Sequence, residues 1–326
     1  MPTPTLTPTR TLGNSDLTVR PFCLGGNVFG WTIDEPTSFQ ILDAFLNAGF
    51  NFIDTADVYS KWKPGNTGGE SETILGKWFK ARNNRAQVIL ATKVGMEMPA
   101  SNPLGGGKGL AKTYILKAAE ASLKRLQTDY IDLYQSHQDD PATPLEETLD
   151  AYQTLIKQGK VRVIGASNYT ADRLEQVLTL AEQKKLPRYD MLQPHYNLVE
   201  RHEFESTLRP VCLRHNVGVI PYFSLASGFL TGKYRSEADL AKSARGKSAA
   251  KYLNDRGLRV LAALDAVAKR HNSTPAQVAL AWLSAQPTIV APIASATSLT
   301  QLHDLLASTK LLLDDAALTD LNRASD

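Results

Sequence analysis

Cysteine is scarce. The 326 residues include only Cys23 and Cys212, in no CxxC pair and at no zinc-ligand spacing. That excludes a disulfide framework and a cysteine-based metal site. Both thiols are expected as small apolar core groups, and such sparse usage fits a reducing cytoplasm. Long apolar runs are lacking too. The best candidate, residues 217–230, is broken by Gly218, Pro221, Ser224, Ser227 and Gly228, well short of the ~18 apolar residues a spanning helix needs. Met1 to Asp16 is polar and rich in Thr and Pro, with no apolar leader. The expectation is therefore a cytoplasmic protein without a membrane partner. An excess of one charge is also missing. With 36 basic and 33 acidic residues the net charge is +3, and no basic tail or stripe stands out, which argues against nucleic acid as a partner.

The usual nucleotide motifs are absent. Gly25-Gly26-Asn27-Val28-Phe29-Gly30 lacks the GxGxxG spacing of an open dinucleotide-binding sheet. Gly246-Lys247-Ser248 has Ala241 where a P-loop needs its first glycine. His195, His202, His215, His271 and His303 form no HxxxH or HxH pair, so no metal is expected and a metal-dependent barrel hydrolase is disfavoured.

What is present is alternation. Eight short apolar or β-branched runs recur: 21–24, 50–54, 88–93, 130–136, 161–166, 191–194, 217–223 and 289–293. Most are apolar on both sides, as parallel strands buried on both faces should be. Helical stripes lie between them: 39–46, 71–79, 115–126, 145–156, 174–181, 204–213, 276–283 and, after the last strand, 298–306. Gly49 and Gly159 are expected stops, and Thr143-Pro144 an expected cap and first turn. Eight βα units without a linker predict a closed (β/α)₈ barrel spanning residues 1–326 as one domain. Residues 5–19 read as an N-terminal hairpin around Gly13-Asn14, placed to plug one end. The polar segment 234–251 reads as an extended loop and candidate lid. The Gly-rich loop 95–109 reads as flexible.

In such a barrel the C-terminal strand ends form the active face. Asp54, Lys93, His137, Ser167, Asn168 and Gln193 fall there, with Tyr59 a short loop after Asp54. An ammonium beside a phenol is expected to lower its pKa. Lys93 would do this for Tyr59, Asp54 would hold Lys93 charged, and His137 would orient a substrate oxygen. Tyr59 would then serve as a general acid or base, and the hydride must come from a cofactor.

The strings Asn51 to Tyr59 (NFIDTADVY), Ala91 to Gly95 (ATKVG) and Asp132 to His137 (DLYQSH) resemble the aldo-keto reductase family. So do Gly165 to Tyr169 (GASNY), Gln193 to Asn197 (QPHYN) and the run from Pro221 to Tyr234. The pattern is closest to the bacterial and potassium-channel-β-like branches. The resemblance implies a TIM barrel that interconverts an aldehyde or ketone and its alcohol with a nicotinamide dinucleotide. It implies Asp54, Tyr59, Lys93 and His137 as catalytic residues. Ser167, Asn168 and Gln193 would contact the carboxamide, and Tyr222 would stack on the nicotinamide. Ser224, Leu225, Gly228 and Lys233 would lie along the pyrophosphate, with Gly26, Asn27 and Asp54 beside the cofactor.

The adenosine end should fall at Ser295, Thr297 and Gln301. Residues 295–301 carry no Lys or Arg where many relatives clamp the 2′-phosphate. NADP(H) is favoured by family habit, with NAD(H) a real possibility. Phe29, Trp31, Trp62, Met96 and Met98 are expected to line an apolar substrate mouth. The channel-β likeness raises an alternative, a redox-sensing regulatory subunit with little turnover. The substrate and oligomeric state are not legible.

Overall fold

The computed structural model describes residues 8–103, 106–243 and 245–326. Thr5 to Thr7 of the expected hairpin, Gly105 of the glycine-rich loop and Ala244 of the candidate lid lie outside that description.

Eight parallel strands form one sheet: β1 Cys23–Gly25, β2 Phe52–Asp54, β3 Ile89–Val94, β4 Ile131–Ser136, β5 Val161–Ser167, β6 Tyr189–Gln193, β7 Gly218–Val219 and β8 Ile293–Ala294. They pair in chain order, and β8 also pairs with β1. Closure is completed beside β7. The Val290 N–H donates to Val219 O at 2.8 Å, the Ile293 N–H to Pro221 O at 3.1 Å, and Val219 bridges Ile289. The result is the expected TIM barrel. The last two strands are shorter than the apolar runs 217–223 and 289–293 implied, because most of those residues lie in the flanking loops.

Helices alternate with the strands: α1 Glu35–Asn47, α2 Glu70–Arg82, α3 Lys112–Leu126, α4 Leu145–Lys157, α5 Ala171–Lys184, α6 Arg209–His215, α7 Asp255–Arg270, α8 Pro275–Ser284, α9 Leu299–Ala307 and α10 Asp315–Ser325. Local chemistry sets their ends. Asp34 caps α1 by accepting from the Thr37 N–H at 2.9 Å, and Gly49 beyond it adopts φ 84°. Thr143 does not cap α4; its hydroxyl donates to Asp140 at 2.6 Å instead. The stripe 204–213 begins as a π-turn, Phe204–Leu208, before α6. Two helices were not expected, α7 and α10. The extra α7 between β7 and β8 breaks the simple one-helix-per-strand count.

The barrel interior is filled in layers. Cys23, Phe52, Ala91, Leu133, Val163, Met191 and Ile293 form the apolar layer. Leu12, Leu17 and Val19 of the hairpin join it from below. Arg10–Thr11 pairs antiparallel with Thr18–Val19, and Arg10 donates to Ile289 O and Ser284 O at 2.7 and 3.0 Å. The hairpin therefore plugs the end opposite the strand C-termini. Both cysteines are free and buried, Cys212 in the shell between helices and sheet. No helix among the described residues is long and apolar enough to cross a membrane.

Candidate active site

The period of a strand explains the site. Residues two apart share a face. Phe52, Ala91, Leu133 and Met191 fill the apolar layer. Two residues on, Asp54, Lys93, Gln135 and Gln193 enter the next layer up. All four are 0–2% exposed, so each must find a partner inside the barrel.

They find one another. Lys93 Nζ donates to Asp54 Oδ2 at 2.6 Å, to Thr55 O at 2.8 Å and to the Tyr59 hydroxyl at 2.8 Å. That uses all three ammonium donors. Asp54 Oδ1 accepts from Gln193 Nε2 at 2.9 Å and from Gln135 Nε2 at 3.3 Å. The Tyr59 hydroxyl donates to Asp54 Oδ2 at 3.3 Å. The His137 ring stands edge-on to the Tyr59 ring, centroids 5.9 Å apart.

The electrostatics correct one expectation. The lysine contact is present, yet burial, reinforced by the Asp54 carboxylate, holds the Tyr59 phenol well above its ordinary range. Lys93 cannot reverse this, because Asp54 already answers its charge. Burial lowers the Lys93 pKa while Asp54 opposes the shift. Burial, then the Lys93 charge, holds His137 well below the usual imidazole range. The site therefore presents a protonated phenol and a neutral imidazole. His137 Nδ1 is buried without a partner.

Beside this cluster runs a cavity of about 1210 Å³, larger than most single small-ligand pockets. Asp54, Tyr59, His137, Trp62 and Met96 wall one part. Ser167, Asn168, Gln193 and Tyr222 follow, then Asn27, Ser224, Leu225, Gly228 and Lys233. Ser295, Thr297 and Gln301 line it as well. Lys93 stands behind Tyr59, outside the wall. Asn168, at φ 55°, donates to His137 O at 2.9 Å and accepts from the Tyr222 hydroxyl at 2.8 Å. The Tyr222 ring is stacked on His195. Gly25 leaves room for the Ser295 hydroxyl, which a Cβ there would meet at 2.7 Å.

A model of the aldo/keto reductase family matches residues 21–326. The chain belongs to that family. It is 37% identical to the uncharacterised oxidoreductase YrpG of Bacillus subtilis, covering 95% of this chain and 94% of that one. It is 32% identical to a probable voltage-gated potassium channel subunit beta of Arabidopsis thaliana, covering 90% and 89%. It is 30% identical to the aldo-keto reductase yakc [NADP(+)] of Schizosaccharomyces pombe, covering 98% and 92%.

Several residues expected at this aldo-keto reductase site lie elsewhere. Gly26 is off the cavity wall; its carbonyl accepts from Ser71 Oγ at 2.8 Å, and a Cβ would meet Asp54 O at 3.0 Å. Phe29 is fully buried in the helix–sheet core. Met98 packs on Ala56 and Val58. Trp31 does not line the cavity but stands edge-on to Trp62, 5.6 Å away. These positions are in loops, where strand alternation no longer tells inside from outside. Other wall residues were not foreseen: Gln138, Lys242, Ser243, Arg245, Thr274 and Asp304. Gln135 was also missed, although its spacing from Leu133 matches that of Lys93 from Ala91.

Proposed function

We propose that this aldo-keto reductase is an NAD(P)H-dependent carbonyl reductase, with NADP(H) the favoured cofactor and Tyr59 the proton donor. One observation carries the reading: the buried chain Asp54–Lys93–Tyr59, beside a neutral His137, opens onto a cavity roomy enough for a dinucleotide and a small carbonyl compound. The cavity residues fit such a cofactor. Gly25 and Gly228 let the Ser295 and Lys233 side chains approach closely, and Lys233 brings a positive charge suited to a pyrophosphate. Ser298 caps α9 next to the lining residues Thr297 and Gln301, and a helix N-terminus receives anions well.

The bound dinucleotide supplies the hydride, which no side chain offers. The protein does the rest. Tyr59 and His137 receive the carbonyl oxygen, and the neutral imidazole can donate a hydrogen bond to it. As negative charge gathers there, the Tyr59 phenol gives up its proton. Lys93 then meets a phenolate at 2.8 Å instead of a phenol, a contact that strengthens as the proton leaves. Asp54 keeps Lys93 protonated, and Gln135 and Gln193 hold Asp54 in place. Alcohol oxidation uses the same groups in reverse.

The test is loss of reduced-nicotinamide absorbance against a panel of aldehydes and ketones, with each cofactor. Turnover abolished by Tyr59→Phe supports the reading. Tight cofactor retention without turnover of any carbonyl would support the sensing role raised by the Arabidopsis relative's name.

A further inference from the structure

The Tyr222 ring has two faces, and only one is taken. His195 stacks on it, centroids 5.3 Å apart and planes within 14°. Phe223 stands 5.2 Å from Tyr222 and 5.6 Å from His195, at 70° and 78° to them. A ring almost equidistant from both lies beside the pair, since one beyond Tyr222 would stand much farther from His195. Among the described residues no ring covers the other face of Tyr222. Tyr222 lines the cavity wall, and His195 does not.

The stacked pair is fixed at its edges. The Tyr222 N–H donates to Pro194 O at 3.0 Å, and its hydroxyl to Asn168 Oδ1 at 2.8 Å. Asn168 Nδ2 in turn donates to His137 O, so the ring stands two hydrogen bonds from the histidine that receives the carbonyl oxygen. His195 is itself held. Buried Asn197 accepts from the Val199 and Glu200 N–H groups through Oδ1, at 2.9 and 3.1 Å. That turns its Nδ2 toward His195 Nε2, 3.4 Å away. An amide nitrogen only donates, so the imidazole nitrogen accepts and the ring is uncharged. Burial lowers the His195 pKa, in the same sense.

A flat face open to a cavity suits a flat ligand ring. The hydride donor of the proposed reaction is such a ring, and it must lie against the carbonyl whose oxygen meets Tyr59 and His137. Oxidised nicotinamide is a cation, which an aromatic face with no charge behind it favours. We propose that His195 is a positioning residue for the cofactor: it backs Tyr222 so that the tyrosine's open face holds the nicotinamide ring in place for hydride transfer. The inference rests on the reductase reading above and assigns a residue that does not touch the ligand. A smaller side chain at 195 would let Tyr222 tilt into the space behind it.

The test measures Kd by isothermal titration calorimetry for NADP+ and for ADP-ribose 2′-phosphate, which is NADP+ without its nicotinamide. NAD+ and ADP-ribose, the same pair without the 2′-phosphate, are titrated alongside. The wild type is expected to prefer the nicotinamide-bearing member. His195→Ala should shrink that preference by about three- to tenfold, the size of one aromatic contact, while the truncated ligand binds within about twofold of wild type. His195→Phe restores a flat uncharged ring and should recover most of the preference. His195→Gln keeps a polar side chain without a ring and should not. A wild type that binds both members of a pair equally, or an unchanged preference in His195→Ala, overturns the proposal and leaves the reductase reading standing. Equal losses for both ligands overturn it too, because the imidazole would then serve the fold alone. If the wild type binds neither pair, the cofactor reading falls with it. The contrast between His195→Phe and His195→Gln decides the matter even if His195→Ala does not fold.

Discussion

Lys93 donates to the Tyr59 hydroxyl at 2.8 Å, yet Tyr59 is held protonated. The two facts agree once Asp54 is counted. Its carboxylate lies 2.6 Å from the same ammonium and also accepts from the phenol at 3.3 Å. In the resting site the lysine charge is balanced, and burial favours the neutral phenol. The lysine contact gains strength only when the phenol loses its proton, which in the proposed reaction is the moment of proton transfer.

Tyr59→Phe removes one oxygen and keeps the ring against Trp62. The expected result is a kcat lower by about 10²–10⁴-fold. Cofactor affinity should stay within about threefold, because Tyr59 is assigned to the substrate oxygen. Turnover assays and fluorescence titration check this. A variant with near-wild-type kcat would remove Tyr59 from the proton-transfer role.

The buried pair makes a stability prediction. Asp54 and Lys93 are 1% and 0% exposed. Lys93→Met leaves a carboxylate without its cation, and Asp54→Asn leaves the reverse. Each single change should cost about 3–5 kcal/mol. The double variant should cost at least about 1 kcal/mol less than the sum, since it strands no charge. Urea unfolding of the four proteins measures the coupling. Strict additivity would mean that the pair is not energetically linked.

The strand-borne half of the site was legible because period two is a local rule. Once residues 88–93 read as an inward strand, Lys93 had to share a face with Ala91. The same reasoning reaches Gln135 from Leu133 and Gln193 from Met191. Arg245 had no such signal, because it sits in a segment without regular repeat and acquires its position only when the loop folds over Trp31. Phe29 was misplaced for a related reason. Helix α7 did carry a signal, with Asn254 accepting from the Gly257 N–H as a cap and Val260, Leu261, Leu264 and Val267 on one face. Counting one helix per strand left no place for it. The direction of the Tyr59 shift was illegible because it depends on how deeply the phenol is buried, a product of the whole fold.

Asp57 predicts a pH dependence. It lies two residues before Tyr59, its Oδ1 is buried without a partner, and burial, then the Glu72 charge, push its carboxyl up to about 8. In the unfolded chain the same group ionises near ~4. Between those limits the folded protein keeps a proton that the unfolded chain has released. Stability should therefore fall as pH rises through that window, by up to about 1.4 kcal/mol per pH unit from this group, and level off above it. Asp57→Asn removes the dependence. Its Tm relative to wild type should climb from pH 5 to pH 8 in thermal melts. A constant difference across that range would show that Asp57 does not titrate as its burial requires.

In the proposed reading the cofactor's adenosine end falls at Ser295, Thr297 and Gln301 of the cavity wall, so this segment would set cofactor choice. Thr297 donates from its N–H and its hydroxyl to Gln301 Oε1, each at 2.9 Å, and Asp304 accepts from Thr274 and Gln277 at 3.1 and 2.7 Å. Hydroxyls and a capped helix can hold a 2′-phosphate, but nothing in residues 295–301 answers its charge with a cation, and Asp304 on the same wall opposes it. The preference for NADPH over NADH should therefore be modest, about tenfold or less in Kd. Thr297→Arg supplies the missing charge next to Gln301. One charge-assisted contact is worth about 1.5–3 kcal/mol, so the variant's NADPH preference should rise by about 10–100-fold while NADH binding changes little. Parallel fluorescence titrations read both. If the wild type already discriminates by several orders of magnitude, another group must meet the phosphate, and an unchanged ratio in Thr297→Arg would place the 2′-oxygen away from this segment.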